Sequence, residues 1–170
     1  MRKRRCQKGF TLIEMLACVV TLILIGLICT TGMNLASISL KETTFESDSQ
    51  MLESTINMYL SDILRHATDV EVDANQTVVC FTNDTYYIDK GKLRADDGYL
   101  VFSTKLSLDE TKGAMIVNES AYAGTLSIRD FVLKYDSEKG VFSGSYRITS
   151  SEIERTKLCE FSYRTIGEGL

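Results

Sequence analysis

Between Phe10 and Ile28 the chain runs 19 residues with a single charge, Glu14, and stays low in polarity to about Met33. At a rise of about 1.5 Å per residue, roughly 20 apolar residues cross the hydrocarbon core of a bilayer. Few fates are open to such a run: a membrane span, a signal segment, or a helix covered on all sides. Its flanks narrow the choice. Arg2, Lys3, Arg4, Arg5 and Lys8 precede it with no acidic residue among them, whereas the chain after Gly9 holds 14 basic and 23 acidic side chains, a net −9. The excess of positive charge keeps the N-terminus in the cytoplasm and puts the acidic body outside.

The apolar region is longer than the roughly 7–15 residues of a cleavable signal peptide, and no clear small-x-small cleavage site follows it. The helical pattern also continues past it, so a retained span from about residue 10 to 33 is expected. Glu14 is the anomaly. A carboxylate inside a membrane helix costs on the order of 2–4 kcal/mol and asks for a partner. The alternative is a span that starts at Met15, with Glu14 at the cytoplasmic edge.

The residues around it are Lys8-Gly9-Phe10-Thr11-Leu12-Ile13-Glu14-Met15-Leu16. Here the sequence resembles the type IV prepilin family, which includes type IV pilins and the pseudopilins of type II secretion and competence systems. A short basic leader ends in Gly9, Phe10 follows, a carboxylate stands five residues into the mature chain, and an apolar helix continues. The close match covers residues 8 to about 30. The resemblance implies that prepilin peptidase, a membrane aspartyl protease, cuts after Gly9 and methylates the new amine of Phe10. Gly9 has no Cβ, which lets a protease approach the backbone closely.

The resemblance also gives Glu14 a use. In a filament core of low dielectric, the Glu14 carboxylate of one subunit pairs with the cationic Phe10 amine of its neighbour, which offsets the burial cost of both. The chain departs from major pilins in having no proline anywhere. Gly26, Gly32 and the Thr30-Thr31 pair are the expected places for the helix to loosen instead.

Beyond the span, Phe45, Leu52, Ile56, Tyr59 and Ile63 repeat at helical spacing, with Leu60 and Ala67 widening the stripe. One helix over 10–67 is expected. After Asp69 the period changes to two. Thr77–Thr82 and Thr85–Asp89 read as a hairpin turning at Asn83-Asp84. Tyr99–Ser103, Thr125–Tyr135, Val141–Thr149 and Thr156–Thr165 read as further strands. The apolar parity flips between Leu126/Ile128 and Phe131/Leu133/Tyr135, which predicts a bulge near Arg129-Asp130. The fold class is therefore α+β: the long N-terminal helix packed on an antiparallel sheet formed from residues 68–170, as in pilins.

Chemistry is sparse. One histidine, His66, rules out a two-histidine zinc site. Asp69, Glu71, Asp73 and Asn75 alternate with Val70 and Val72, a pattern read as a solvated strand face in preference to a calcium loop, which needs a glycine turn. Cys80 and Cys159 are candidates for a disulfide worth roughly 4 kcal/mol. Burial of Cys159 as a small hydrophobe competes equally. Asn75, Asn83 and Asn118 begin N-x-Ser/Thr triplets without further support. No nucleophile elbow, phosphate loop or HExxH helix is present, so neither enzymatic activity nor a metal or cofactor is expected.

The leading expectation is a minor pilin or pseudopilin of a pilus-like surface filament. Its partners would be prepilin peptidase, other subunits through the N-terminal helix, and the inner or cytoplasmic membrane before assembly. Contact with DNA would rest on a local patch, because a −9 mature chain does not favour it. The competing class is a single-pass, membrane-anchored binding domain that does not polymerise, with a secreted enzyme further behind.

Overall fold

The computed structural model describes residues 11–86, 88–103 and 114–166. The chain divides into two compact units, residues 1–43 and 44–170. One element dominates: helix α1, Leu12–Arg65. It runs unbroken through Gly26, Thr30-Thr31 and Gly32, so the loosening expected there is not seen. Eight strands follow: β1 (Thr68–Val72), β2 (Val78–Asn83), β3 (Ile88–Asp96), β4 (Tyr99–Ser103), β5 (Ala114–Met115), β6 (Leu126–Asp136), β7 (Val141–Ser150) and β8 (Thr156–Arg164). They form two antiparallel sheets, β1-β2-β3-β4-β5 and β6-β7-β8, where the sequence suggested one. A long apolar helix followed by antiparallel sheets is a pilin-like architecture.

In the second unit, α1 packs one stripe against the sheets. Ser49, Leu52, Ile56, Leu60, Leu64 and Ala67 are fully buried, and Phe45 and Ile63 pack beside them. Burying each leucine or isoleucine contributes about 1.5–3 kcal/mol. The stripe is rotated slightly from the expected one, because Tyr59 is 41% exposed. Ser49 takes a core position that its polarity disguised, and it satisfies its hydroxyl by donating to the Glu46 carbonyl at 3.0 Å.

The end of α1 is held by tertiary contacts rather than by a glycine cap. A helix leaves its last four carbonyls without intrahelical partners. Here the Asn83 Nδ2 donates to Ile63 O at 2.8 Å, and the amides of Ala67 and Ile166 donate to Leu64 O and Arg65 O at 3.3 and 2.9 Å. His66 Nδ1 lies 3.0 Å from Asp62 O. All four carbonyls are thus served, two of them by residues distant in sequence.

The β2–β3 connection differs from the expected two-residue turn. Asn83 ends β2 fully buried, and its Oδ1 accepts from the Tyr86 amide at 3.2 Å, capping a 3-10 turn at Asp84–Tyr86. The bulge in β6 is where the parity flip placed it. The register slips by one residue between Arg129 and Val132, and Asp130 adopts a φ of 52°. Asp130 Oδ2 also takes a hydrogen bond from Arg147 at 2.7 Å. The β6–β7 hairpin turns across Ser137–Gly140, with Asp136 Oδ1 accepting from the amides of Glu138 and Lys139. Asp69 and Glu71 lie exposed on β1, as the alternation suggested, but the strand ends at Val72, and Asp73 and Asn75 fall in the turn that leads to β2.

Candidate functional site

Gly9 and Phe10, the expected processing residues, lie outside the described residues. The described chain opens at Thr11, and α1 begins one residue later. Thr11-Leu12-Ile13-Glu14 has the spacing of a capping box, in which a side chain at the third helical position reaches back to the cap residue. The structure makes that contact: the Thr11 amide and hydroxyl each donate to Glu14 Oε2 at 2.9 Å. The carboxylate therefore sits at the positive end of the helix dipole, which itself favours negative charge. The sequence carried this signal in the T-x-x-E spacing, and the membrane reading of Glu14 had obscured it.

From Leu12 to Met33 the helix surface is apolar on every side apart from Glu14 and three threonines, and it is uncovered as far as Leu40. Leu12 is 85% exposed, Met33 76% and Leu40 68%, and an 18-residue window of α1 has a mean hydropathy of 2.8 with none of it buried. A helix apolar on every side requires lipid or protein around it. Its threonine hydroxyls are already settled. The hydroxyls of Thr21, Thr30 and Thr31 donate to the carbonyls of Ala17, Gly26 and Leu27 at 3.0, 2.8 and 3.1 Å. Back-bonding of this kind lets threonine sit in an apolar medium without an outside partner. Glu14 is the one ionisable carboxylate or base between Thr11 and Leu40, so it alone gives this surface a charged, directional element. The helix is long and apolar enough to cross a membrane once.

Cys80 and Cys159 are both free thiols. They stand in different sheets, on β2 and β8, and each has its own environment. Cys159 is 1% exposed against the body of the fold, the small-hydrophobe reading. Burial, followed by the nearby Glu53 carboxylate, pushes its thiol up to about 11. Cys80 is half-buried and donates to Glu71 Oε2 at 3.1 Å, while Lys90 Nζ lies 3.0 Å from Glu71 Oε1. Burial first, and then the bond to Glu71, raises the Cys80 thiol above its ordinary value. Cys18 and Cys29 lie on the exposed apolar part of α1.

His66 borders a cleft of about 410 Å³ with Ser61, Asp62 and Ile166. The Tyr86 hydroxyl engages the Asp62 carboxylate, and His66 Nδ1 faces the Asp62 carbonyl. Among the described residues, no cluster of three or more histidines, cysteines or carboxylates is placed to hold a metal ion. Of the three N-x-Ser/Thr asparagines, Asn83 is consumed in the core and Asn118 caps a short 3-10 turn by accepting from the Ser120 amide. Comparison of the chain with protein-family models, with curated proteins and with solved structures finds no match.

Proposed function

We propose that this chain is a structural subunit, a minor pilin or pseudopilin, of a type IV pilus-like surface filament. In this reading it is held in the inner or cytoplasmic membrane by α1, cut by prepilin peptidase after Gly9, methylated at Phe10 and assembled through α1. The observation that carries the proposal is the uncovered apolar surface of α1 from Leu12 to about Met33, with one carboxylate at its start, on a helix followed by antiparallel β-sheets. A lipid-embedded helix needs no charge. A helix that leaves lipid for a bundle of identical neighbours needs a register mark, and Glu14 supplies one.

The energetics support the exchange of environments. An apolar helix gains little by moving from lipid to a helical bundle through the hydrophobic effect alone, so packing and polar contacts must decide the association. A Glu14 carboxylate facing the cationic amine of a neighbouring Phe10 is such a contact, and losing one partner of a buried pair costs about 3–5 kcal/mol. The protein acts as a building block and carries out no catalysis in this reading. Shearing cells and pelleting the released filaments tests it. The chain is expected in the filament fraction, and its complete retention in the membrane fraction would instead favour a membrane-anchored binding domain.

A further inference from the structure

We infer that the seam between α1 and the three-stranded sheet holds buried water, ligated by the Tyr146 hydroxyl and the Asn57 carboxamide oxygen. Glu53 and Asn57 stand one turn apart on α1, on a side that meets β7 and β8. Lys157 Nζ reaches Glu53 Oε2 at 2.7 Å, and the Tyr163 hydroxyl donates to the Asn57 carbonyl at 3.1 Å. Tyr146, paired with Cys159 across β7 and β8, is fully buried, and Cys159, Glu53 and Tyr163 are its polar neighbours.

Ser49 and Asn83 apart, the rest of the core is aliphatic and aromatic, which sets this seam off from it. It also contains both buried side-chain oxygens that find no hydrogen-bond partner among the described residues: Tyr146 Oη and Asn57 Oδ1. Buried polar atoms are almost always paired, and where protein supplies no partner an internal water does. The chemistry of the two atoms suits one. The asparagine oxygen only accepts, whereas the phenol can both donate and accept, and water offers two donors and two acceptors. The Cys159 thiol beside the phenol is too weak a partner to replace it. A dry seam at these positions would favour phenylalanine and leucine, which present the same bulk without the desolvation cost.

The test uses the full chain in detergent micelles. Water-selective NMR is expected to show long-lived water contacts to the Tyr146 ring and to the Asn57 side-chain amide, and Tyr146→Phe is expected to remove the first. Tyr146→Phe is also expected to lower the thermal midpoint by about 2–4 °C, because it deletes a hydrogen-bonded hydroxyl. If the variant fails to fold, Asn57→Leu provides the same reading, with a lowered midpoint expected. Absence of water contacts at both residues, or a midpoint raised by either substitution, would overturn the inference, since removing a dry, unpaired polar atom stabilises a fold.

Discussion

The main-chain amide and the hydroxyl of Thr11 converge on one oxygen of Glu14, each at 2.9 Å. The carboxylate that makes this helix unusual for a membrane segment is therefore held by its own chain before any neighbour is present. Its position is fixed at the helix start, and its negative charge is matched to the free amides there. Assembly as proposed would recruit a carboxylate already aimed at the N-terminal end of the bundle.

That arrangement separates two roles of Glu14. Glu14→Gln keeps an oxygen able to accept from Thr11 and removes the charge, whereas Glu14→Ala removes both. Both variants are expected to leave the β body folded and to lower the amount of chain in sheared filaments by more than about tenfold, as the loss of a buried ion pair implies. Wild-type incorporation of Glu14→Gln would rule out a charge pair as the assembly contact. Circular dichroism of the detergent-solubilised chain checks that folding is intact.

Asn83 ties β2 to the last turn of α1 by donating to Ile63 O, and its carboxamide oxygen holds the following 3-10 turn by accepting from the Tyr86 amide. Asn83→Ala leaves a carbonyl unpaired in the core. The expected destabilisation is about 2–4 kcal/mol, measured by denaturant unfolding of the full chain in micelles. A change under about 0.5 kcal/mol would show that the helix end is held by its other three contacts alone.

Gly144 pairs with Leu133 just beyond the β6 bulge, and a Cβ there would stand 2.3 Å from Val132 O and 2.5 Å from Phe161 Cζ. A backbone carbonyl cannot rotate away as a side chain can. Gly144→Ala should therefore destabilise the fold by roughly 1–3 kcal/mol or more. Gly26→Ala is the natural control. An added Cβ there meets nothing within 4 Å, and it should raise helix stability by about 0.5–1 kcal/mol in the unassembled chain.

Alkaline pH should weaken the fold through Cys159. Its thiol is pushed up from an ordinary 9.0 to about 11 in the folded chain, mainly by burial. Between those two values the unfolded chain loses the proton and the folded chain keeps it, so stability falls as pH rises from about 9 to about 11. The loss amounts to on the order of 2–3 kcal/mol. Denaturant midpoints taken across this range should decline in the wild type and decline less steeply in Cys159→Ala. Equal slopes for the two would remove Cys159 as the source.

Much of the fold was legible because the physical period was clear. The apolar run, the helical stripe, the β6 bulge and the β6–β7 hairpin all follow from where apolar residues recur. The misses share another cause. The expected strand Thr85–Asp89 overlaps β3 only at Ile88 and Asp89: Thr85 and Tyr86 belong to the 3-10 turn, and Lys90, with a φ of 49°, and Gly91 break the alternation that continues to Asp96. The bulge between Ile88 and Gly91 nevertheless returns Leu93 to the core side, and the Phe102 ring fills the space a Gly91 side chain would take. Asn83 and Ser49 are polar residues in core positions, and only the tertiary structure explains their presence there. Division into two sheets leaves no mark on a two-residue period. Of the candidate site, the T-x-x-E cap was present in the sequence but masked by the membrane context of Glu14.

Mass spectrometry of the N-terminus of the chain recovered from cells addresses the proposed function most directly. A mature protein that begins at N-methylated Phe10, lacking the nine residues that carry five positive charges, is the expected result. An intact Met1, or a terminus beyond residue 30, would contradict assembly through a processed α1.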